Sequence, residues 1–185
     1  PVGDDLFDVD KLDTERIHLI TYDPQNYTAT TFSANVAKEI QSFLLADVPH
    51  KEAYLLAAKN VLDIQIETAR QTNPAIAEQE LEYITYMKGA ASVIIYHQCL
   101  DDVAGEQMKE ALFYTGSLFQ LGNDIFDLYK DVRDHIYTLL NTCDDFAAFR
   151  TSFLERVDLQ NQKIMALPYA EKNKKEFCKK VNGKI

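Results

Sequence analysis

The chain has 185 residues, 46% hydrophobic and 26% charged, with six glycines and five prolines; it is long enough for one domain with a substantial core and too apolar to stay disordered. A formal net charge of −10 excludes nucleic acid as the expected partner, because phosphate backbones are held by surplus Lys and Arg, and weighs against an anionic membrane surface. No apolar run approaches a membrane span, the stretch over 90–96 being far too short, and no secretory signal opens the chain.

The pattern is helical throughout. Asp13 is placed to N-cap a short helix ending at Tyr22, since Pro24 biases the residue before it out of the helical region. A polar connection over 25–31 leads to a helix over 33–46, with Val36, Ala37, Ile40, Phe43 and Leu44 in helical period. Pro49 opens a helix to about Thr72, with Leu55, Leu56, Leu62 and Ile66 as candidates for burial. Pro74 separates it from a helix over 76–101. After a turn at 101–105 comes a long helix over 106–134, then one over 144–166, and beyond Pro168 a Lys-rich terminal helix read as solvated. Nothing shows the strict alternation and turn dipeptides of strands. The expected fold is all-α, a bundle of long antiparallel helices in one domain over 1–185. Gly89 and Gly116 are candidate points of close helix approach. Cys99, Cys143 and Cys178 follow no metal-ligand or redox spacing, which suits reduced thiols in a cytoplasmic protein.

Two acidic clusters stand apart from this pattern. Residues 121–131 read LGNDIFDLYKD, and residues 3–8 read GDDLFD. Positions i, i+4 and i+8 of a helix share a stripe, which groups Asn123, Asp127 and Asp131, and likewise Asp4 and Asp8 with Asp5 adjacent. Like charges one turn apart repel, so such clusters need full solvation or a cation. The apolar residues around 121–131, and the more apolar run over 111–120, favour an inward stripe over a solvated face. Carboxylate and amide oxygens are hard ligands, suited to Mg²⁺ or Mn²⁺. Two such sites facing each other would hold a diphosphate. Asp124 lies one position round from the stripe, as a support for the ligands or an ion-pair partner. His97 with Asp101 and Asp102 lacks further ligand histidines and reads as an ordinary, partly exposed side chain.

The run GSLFQLGNDIFDLYKD (116–131) resembles the second aspartate-rich region of class I isoprenoid synthases, with its Gly and Phe-Gln leader. Asn123 is similar to the terpene-cyclase form, Asp127 and Asp131 to the prenyltransferase form, and Lys130 to the cyclase form. DDLFD (4–8) resembles the family's first aspartate-rich motif, QIETARQ (65–71) a Q-x-x-S-x-x-Q pattern with Thr68 for Ser, and MKGAAS (87–92) the segment with a basic diphosphate contact at Lys88. KDVRDHIYTL (130–139) resembles the segment that reaches the diphosphate as the site closes.

The resemblance implies an isoprenoid-synthase-type helical bundle around a central pocket, with further helices ahead of Asp4 that this sequence does not contain. It implies metal ligands at Asp4, Asp5, Asp8, Asn123, Asp127 and Asp131 holding Mg²⁺, three ions in all, with Mn²⁺ as the alternative. Diphosphate contacts would come from Lys88, Lys130, Arg133 and Tyr137, and pocket residues would be Gln65, Thr68, Gln71, Ser92, Phe119 and Gln120. Phe7, Tyr96, Phe119 and Tyr129 are candidates to face a carbocation; no general base is assigned. The implied function is a Mg²⁺-dependent terpenoid synthase ionising a prenyl diphosphate. The segment VDKLDTER (9–16) lacks adjacent arginines, which favours cyclase-like use of one allylic substrate over chain elongation or head-to-head condensation. A non-catalytic helical homologue that binds a prenyl diphosphate is the alternative of another class, and a homodimer is a further expectation.

Overall fold

Side-chain caps fix where several helices begin. In the computed structural model, which describes residue 6 and residues 10–183, Asp13 accepts from the Arg16 N–H at 2.8 Å and starts α1, Thr14–Tyr22. Thr31 accepts from the Ala34 N–H at 3.2 Å and starts α2, Phe32–Asp47. Then come α3 (Lys51–Glu67), a 3-10 helix (Thr68–Thr72), α4 (Glu78–His97), α5 (Glu106–Phe126) and α6 (Leu128–Arg133). Asp145 accepts from the N–H groups of Ala147 and Ala148 and caps α7, Phe146–Met165. At its far end, Lys174 of α8 (Glu171–Asn182) donates to the carbonyls of Met165 and Leu167, satisfying groups that a helix terminus leaves free. Among the described residues there are eight α-helices and no strand, and no helix is long and apolar enough to cross a membrane.

The centre of the molecule is the antiparallel pair α4–α5, flanked by α3 on α4 and by α7 on α5. Two glycines set how closely α4 and α5 approach: a Cβ built on Gly89 would overlap the Gly116 carbonyl, and one on Gly116 would overlap the Gly89 carbonyl. Helix α7 runs antiparallel to α5, with Gln160 beside Thr115, Ile164 on Ala111, and Lys163 paired with Glu110 at 2.6 Å. Leu167 and Cys178 extend that contact to α8. A second cluster joins Leu6, Leu12, Ile17, Ile20, Tyr27, Ala34 and Leu62, seating α1 and α2 on α3. The three cysteines are free thiols.

Several expectations from the sequence are corrected here. Ile40, Phe43, Leu56 and Ile66 are exposed. Apolar residues encircle α2 and α3 more widely than one stripe, and their neighbours cover Ala34 on one helix and Tyr54, Ala57, Ala58, Leu62 and Ile64 on the other. The helix expected over 76–101 is shorter, because Ala77 is extended and Gln98 caps the end. The helix expected over 106–134 is interrupted at Asp127 (φ −89°, ψ 2°). Both flanking backbone bonds survive at 2.8 Å, from the Asp127 N–H to Asn123 and from the Asp131 N–H to Asp127. Tyr96 and Tyr129, candidates to face a pocket, point outward, since each sits opposite the buried side of its helix.

Candidate functional site

An α-helix advances 100° per residue, so positions i and i+8 diverge by about 80°, whereas i and i+7 diverge by only about 20°. This arithmetic decides which acidic residues turn inward at the end of α5. Leu121, Asp124 and Asp131 are buried, Asp124 being 6% and Asp131 8% exposed. Asn123 and Asp127, grouped with Asp131 by the i, i+4, i+8 rule, are exposed. The expected uniformly inward stripe is thus corrected. Its last member faces in, its first two face out, and Asp124 takes the inward place one turn earlier.

Asp124 Oδ1 accepts from Gln120 Nε2 at 2.8 Å, and Oδ2 is buried without a partner. Burial pushes the Asp124 carboxyl up to about 6; the Gln120 hydrogen bond opposes this, Asp131 and Asp127 add to it, and Lys88 opposes it. Burial also raises Asp131, reinforced by Asp127 and opposed by Lys130 and Lys88. Lys88, half-buried on α4, is therefore the cation that the facing helix brings to both inward carboxylates. Among the described residues, no group of three or more His, Cys, Asp or Glu side chains converges tightly enough to hold a metal alone. The donors on α5 and α6 are nevertheless of the type a divalent cation takes. The oxygens are hard, one is orphaned in the interior, and the carboxylates repel one another. Mg²⁺ takes only one or two protein carboxylates and completes its shell with water and phosphate. Asp4, Asp5, Asp8 and Phe7 lie outside the described residues.

The raised Asp124 makes stability depend on pH with a definite sign. The folded chain binds the proton more tightly than the unfolded chain between the ordinary carboxylate range and about pH 6. That stabilisation is complete at low pH and is lost as pH rises through about 6, leaving a cost of up to about 3 kcal/mol at neutral pH. Asp124→Asn keeps the acceptor for Gln120 and should remove most of this slope. Thermal melts of the metal-free protein from pH 4 to 8, at roughly one-unit steps, test it. An unchanged slope in the variant would clear Asp124 of responsibility.

The remaining candidates divide between free and occupied groups. Lys130 is exposed on α6. Arg133 is exposed and its fork is engaged by Asp134, at 2.7 and 3.0 Å. Thr68 donates to the Gln65 carbonyl at 2.6 Å, and Ser92 to the Lys88 carbonyl at 2.9 Å, so both hydroxyls serve their own helices. Gln65 and Phe119 are half-buried. Gln71 is buried and clasps the chain beyond α6: the Tyr137 N–H donates to the Gln71 carbonyl at 2.7 Å, and Gln71 Nε2 donates to the Tyr137 carbonyl at 3.0 Å. Gln71 and Tyr137 thus meet through the backbone of Tyr137. Gln71→Ala should cost about 1 kcal/mol and speed amide exchange over 136–142 while sparing α4. Uniform exchange changes would refute the clasp.

A cleft of about 550 Å³ opens between the first half of α4 and the first half of α7. Leu121 of α5 and the segment 139–145 complete its wall, and none of the metal, diphosphate or pocket residues expected from the sequence lines it. No protein-family model, curated protein or solved structure matches this chain.

Proposed function

We propose that the protein is a Mg²⁺-dependent class I terpenoid synthase that ionises a prenyl diphosphate, using one allylic substrate in the manner of a cyclase. The observation that carries this reading is the acidic end of α5 and α6. There, inward and outward carboxylates crowd around a helix break, with Lys88 facing them from α4. The all-helical architecture among the described residues is compatible with it. Asn123, Asp127 and Asp131 would hold metal; Asp124 sits behind them, tied to Gln120. Bound Mg²⁺ would supply electrophilic stabilisation of the charge that builds on a departing diphosphate.

The chain's own residues do the rest. Lys88 and Lys130 add positive charge beside the phosphate oxygens, and the half-buried Phe119 extends the apolar face of α5 near the acidic end. Arg133 would contact phosphate only after leaving Asp134, an exchange of one carboxylate for another anion. Elongation is disfavoured by the same stretch that lacks paired arginines, where Arg16 is bound up with the cap of its own helix through Asp13.

Pyrophosphate release from geranyl, farnesyl or geranylgeranyl diphosphate alone, in the presence of Mg²⁺, tests the proposal. Release that requires isopentenyl diphosphate as well would replace the cyclase with an elongating enzyme. Tight Mg²⁺-dependent binding of the diphosphates without release would replace it with a binding protein.

A further inference from the structure

We propose that the outward face of α2 is the contact through which two copies of this chain pair, helix against antiparallel helix about a two-fold axis. The helix is laid on the fold the wrong way round for a solvated element. Of its sixteen residues only Ala34 is buried. Its inward side is small and polar. Ala37 packs on the core cluster, Lys38 donates to the Tyr27 carbonyl at 2.7 Å, and Gln41 donates to the Thr21 carbonyl at 2.7 Å and accepts from the Tyr54 hydroxyl. Leu44 and Leu45 are half-buried beside them. The larger side chains point outward: Phe32 is 84%, Phe43 67% and Ile40 49% exposed, with the half-buried Val36 between them. At 100° per residue these four fall within about 80° of one another. They form one continuous apolar stripe that nothing among the described residues covers, whereas a surface helix ordinarily turns such a stripe to a partner.

The stripe is its own complement. Its order, aromatic, aliphatic, aliphatic, aromatic, reads alike in both directions. An antiparallel copy centred between positions 37 and 38 sets Phe32 against Phe43 of the second copy and Val36 beside its Ile40. A two-fold contact requires a single patch to match itself in this way. The charges agree with the pairing. Lys38 is turned inward to Tyr27. Asp47, at the end of α2, comes near the N-terminus of the second copy's α2, where negative charge is favoured. Only Glu39 opposes it, because its two copies lie within a turn of the axis.

The area sets the strength. A phenylalanine carries about 150–250 Å², so the four side chains withdraw roughly 400 Å² of apolar surface per copy. With the polar rim of Asn35, Glu39 and Asp47 the pair buries roughly 1,200 Å² in all, the lower edge for a specific interface. Association in the micromolar range is expected.

Sedimentation of the full chain from about 1 to 300 µM should show a reversible monomer–dimer equilibrium. Ile40→Glu places a charge in the stripe of both copies and should weaken it at least about a hundredfold. Phe43→Ser should weaken it about tenfold. Both side chains are exposed in one copy, so the melting temperature at dilution should hold. Leu56→Glu is the control, a leucine of α3 that is 62% exposed and off the stripe, and it should leave association unchanged. Glu39→Gln should tighten the dimer about threefold, as two like charges near the axis disappear. A chain that stays monomeric throughout, association that survives Ile40→Glu, equal loss in Leu56→Glu, or loosening in Glu39→Gln would each overturn the proposal. The interface uses no residue assigned to the diphosphate, so self-association and pyrophosphate release succeed or fail separately.

Discussion

Gly89→Ala and Gly116→Ala are each expected to destabilise the protein by about 3 kcal/mol, the upper end for overpacking, lowering Tm by roughly 10 °C. The reason is the identity of the atoms in the way. An added methyl at either glycine would meet the other glycine's carbonyl carbon and oxygen, and at Gly116 also the Ala90 nitrogen. Flexible side chains could swing aside, but helix backbone yields only by moving one helix away from the other. The two variants obstruct one contact, so the double variant should cost clearly less than the sum. Gly105→Ala is the control: a Cβ there meets nothing, and a change of less than about 1 kcal/mol is expected. Thermal and urea melts of the four variants beside the parent decide the matter, and additivity of the two costs would show that α4 and α5 do not cross at these glycines. A functional consequence follows. Separating α4 from α5 withdraws Lys88 from Asp124 and Asp131, so both single variants should weaken diphosphate binding even at temperatures where they remain folded.

How far the sequence reveals this molecule depends on whether a signal is local. Caps and prolines are local: Asp13 with Pro24, and the proline before α3, mark helix ends that agree with the structure to within a few residues. Helical type was legible for the same reason, because period and composition repeat in each segment. Burial was not, since it depends on which neighbours arrive. Phe43 and Leu56 are as apolar as Leu62, yet only Leu62 is covered. The acidic helix is instructive because the error is geometric. A step of four residues overshoots a turn by 40°, so a stripe drawn by repeated fours drifts off its own face by the third member. The spacing of seven between Asp124 and Asp131, available in the sequence, marks the pair that is buried. Gln120, expected from the sequence as a pocket residue, lies one turn before Asp124 and donates to it, a partnership that the same spacing argument would have drawn. The clasp between Gln71 and Tyr137 and the acidic cleft carried no such signal, because each is made by segments distant in the chain.

Asp131→Ala is expected to lower kcat for diphosphate release by about a thousandfold, the loss of several kcal/mol of transition-state charge stabilisation. Asp131 is singled out because two lines of reasoning meet on it. It is the last member of the stripe with Asn123 and Asp127, and the partner of Asp124 on the buried face. Asp127→Ala should lose nearly as much, since Asp127 is exposed at the helix break and close enough to raise both Asp124 and Asp131. Asp124→Asn is expected to behave differently. Its carboxylate faces the interior and shares Gln120, so kcat should fall less than about tenfold while the pH dependence of stability changes. Removing a buried carboxylate that repels its neighbours is not a threat to folding, so melts of Asp131→Asn should be at least as high as those of the parent at neutral pH. That measurement separates loss of chemistry from loss of structure. Mg²⁺ binding by calorimetry, with inorganic pyrophosphate present, gives a readout independent of turnover and should weaken in the order Asp131→Ala, Asp127→Ala, Asp124→Asn. Strong loss in both Asp131→Ala and Asp124→Asn with little in Asp127→Ala would move the metal to the inward pair of Asp124 and Asp131. Full activity in Asp131→Ala would remove the acidic helix from the mechanism altogether.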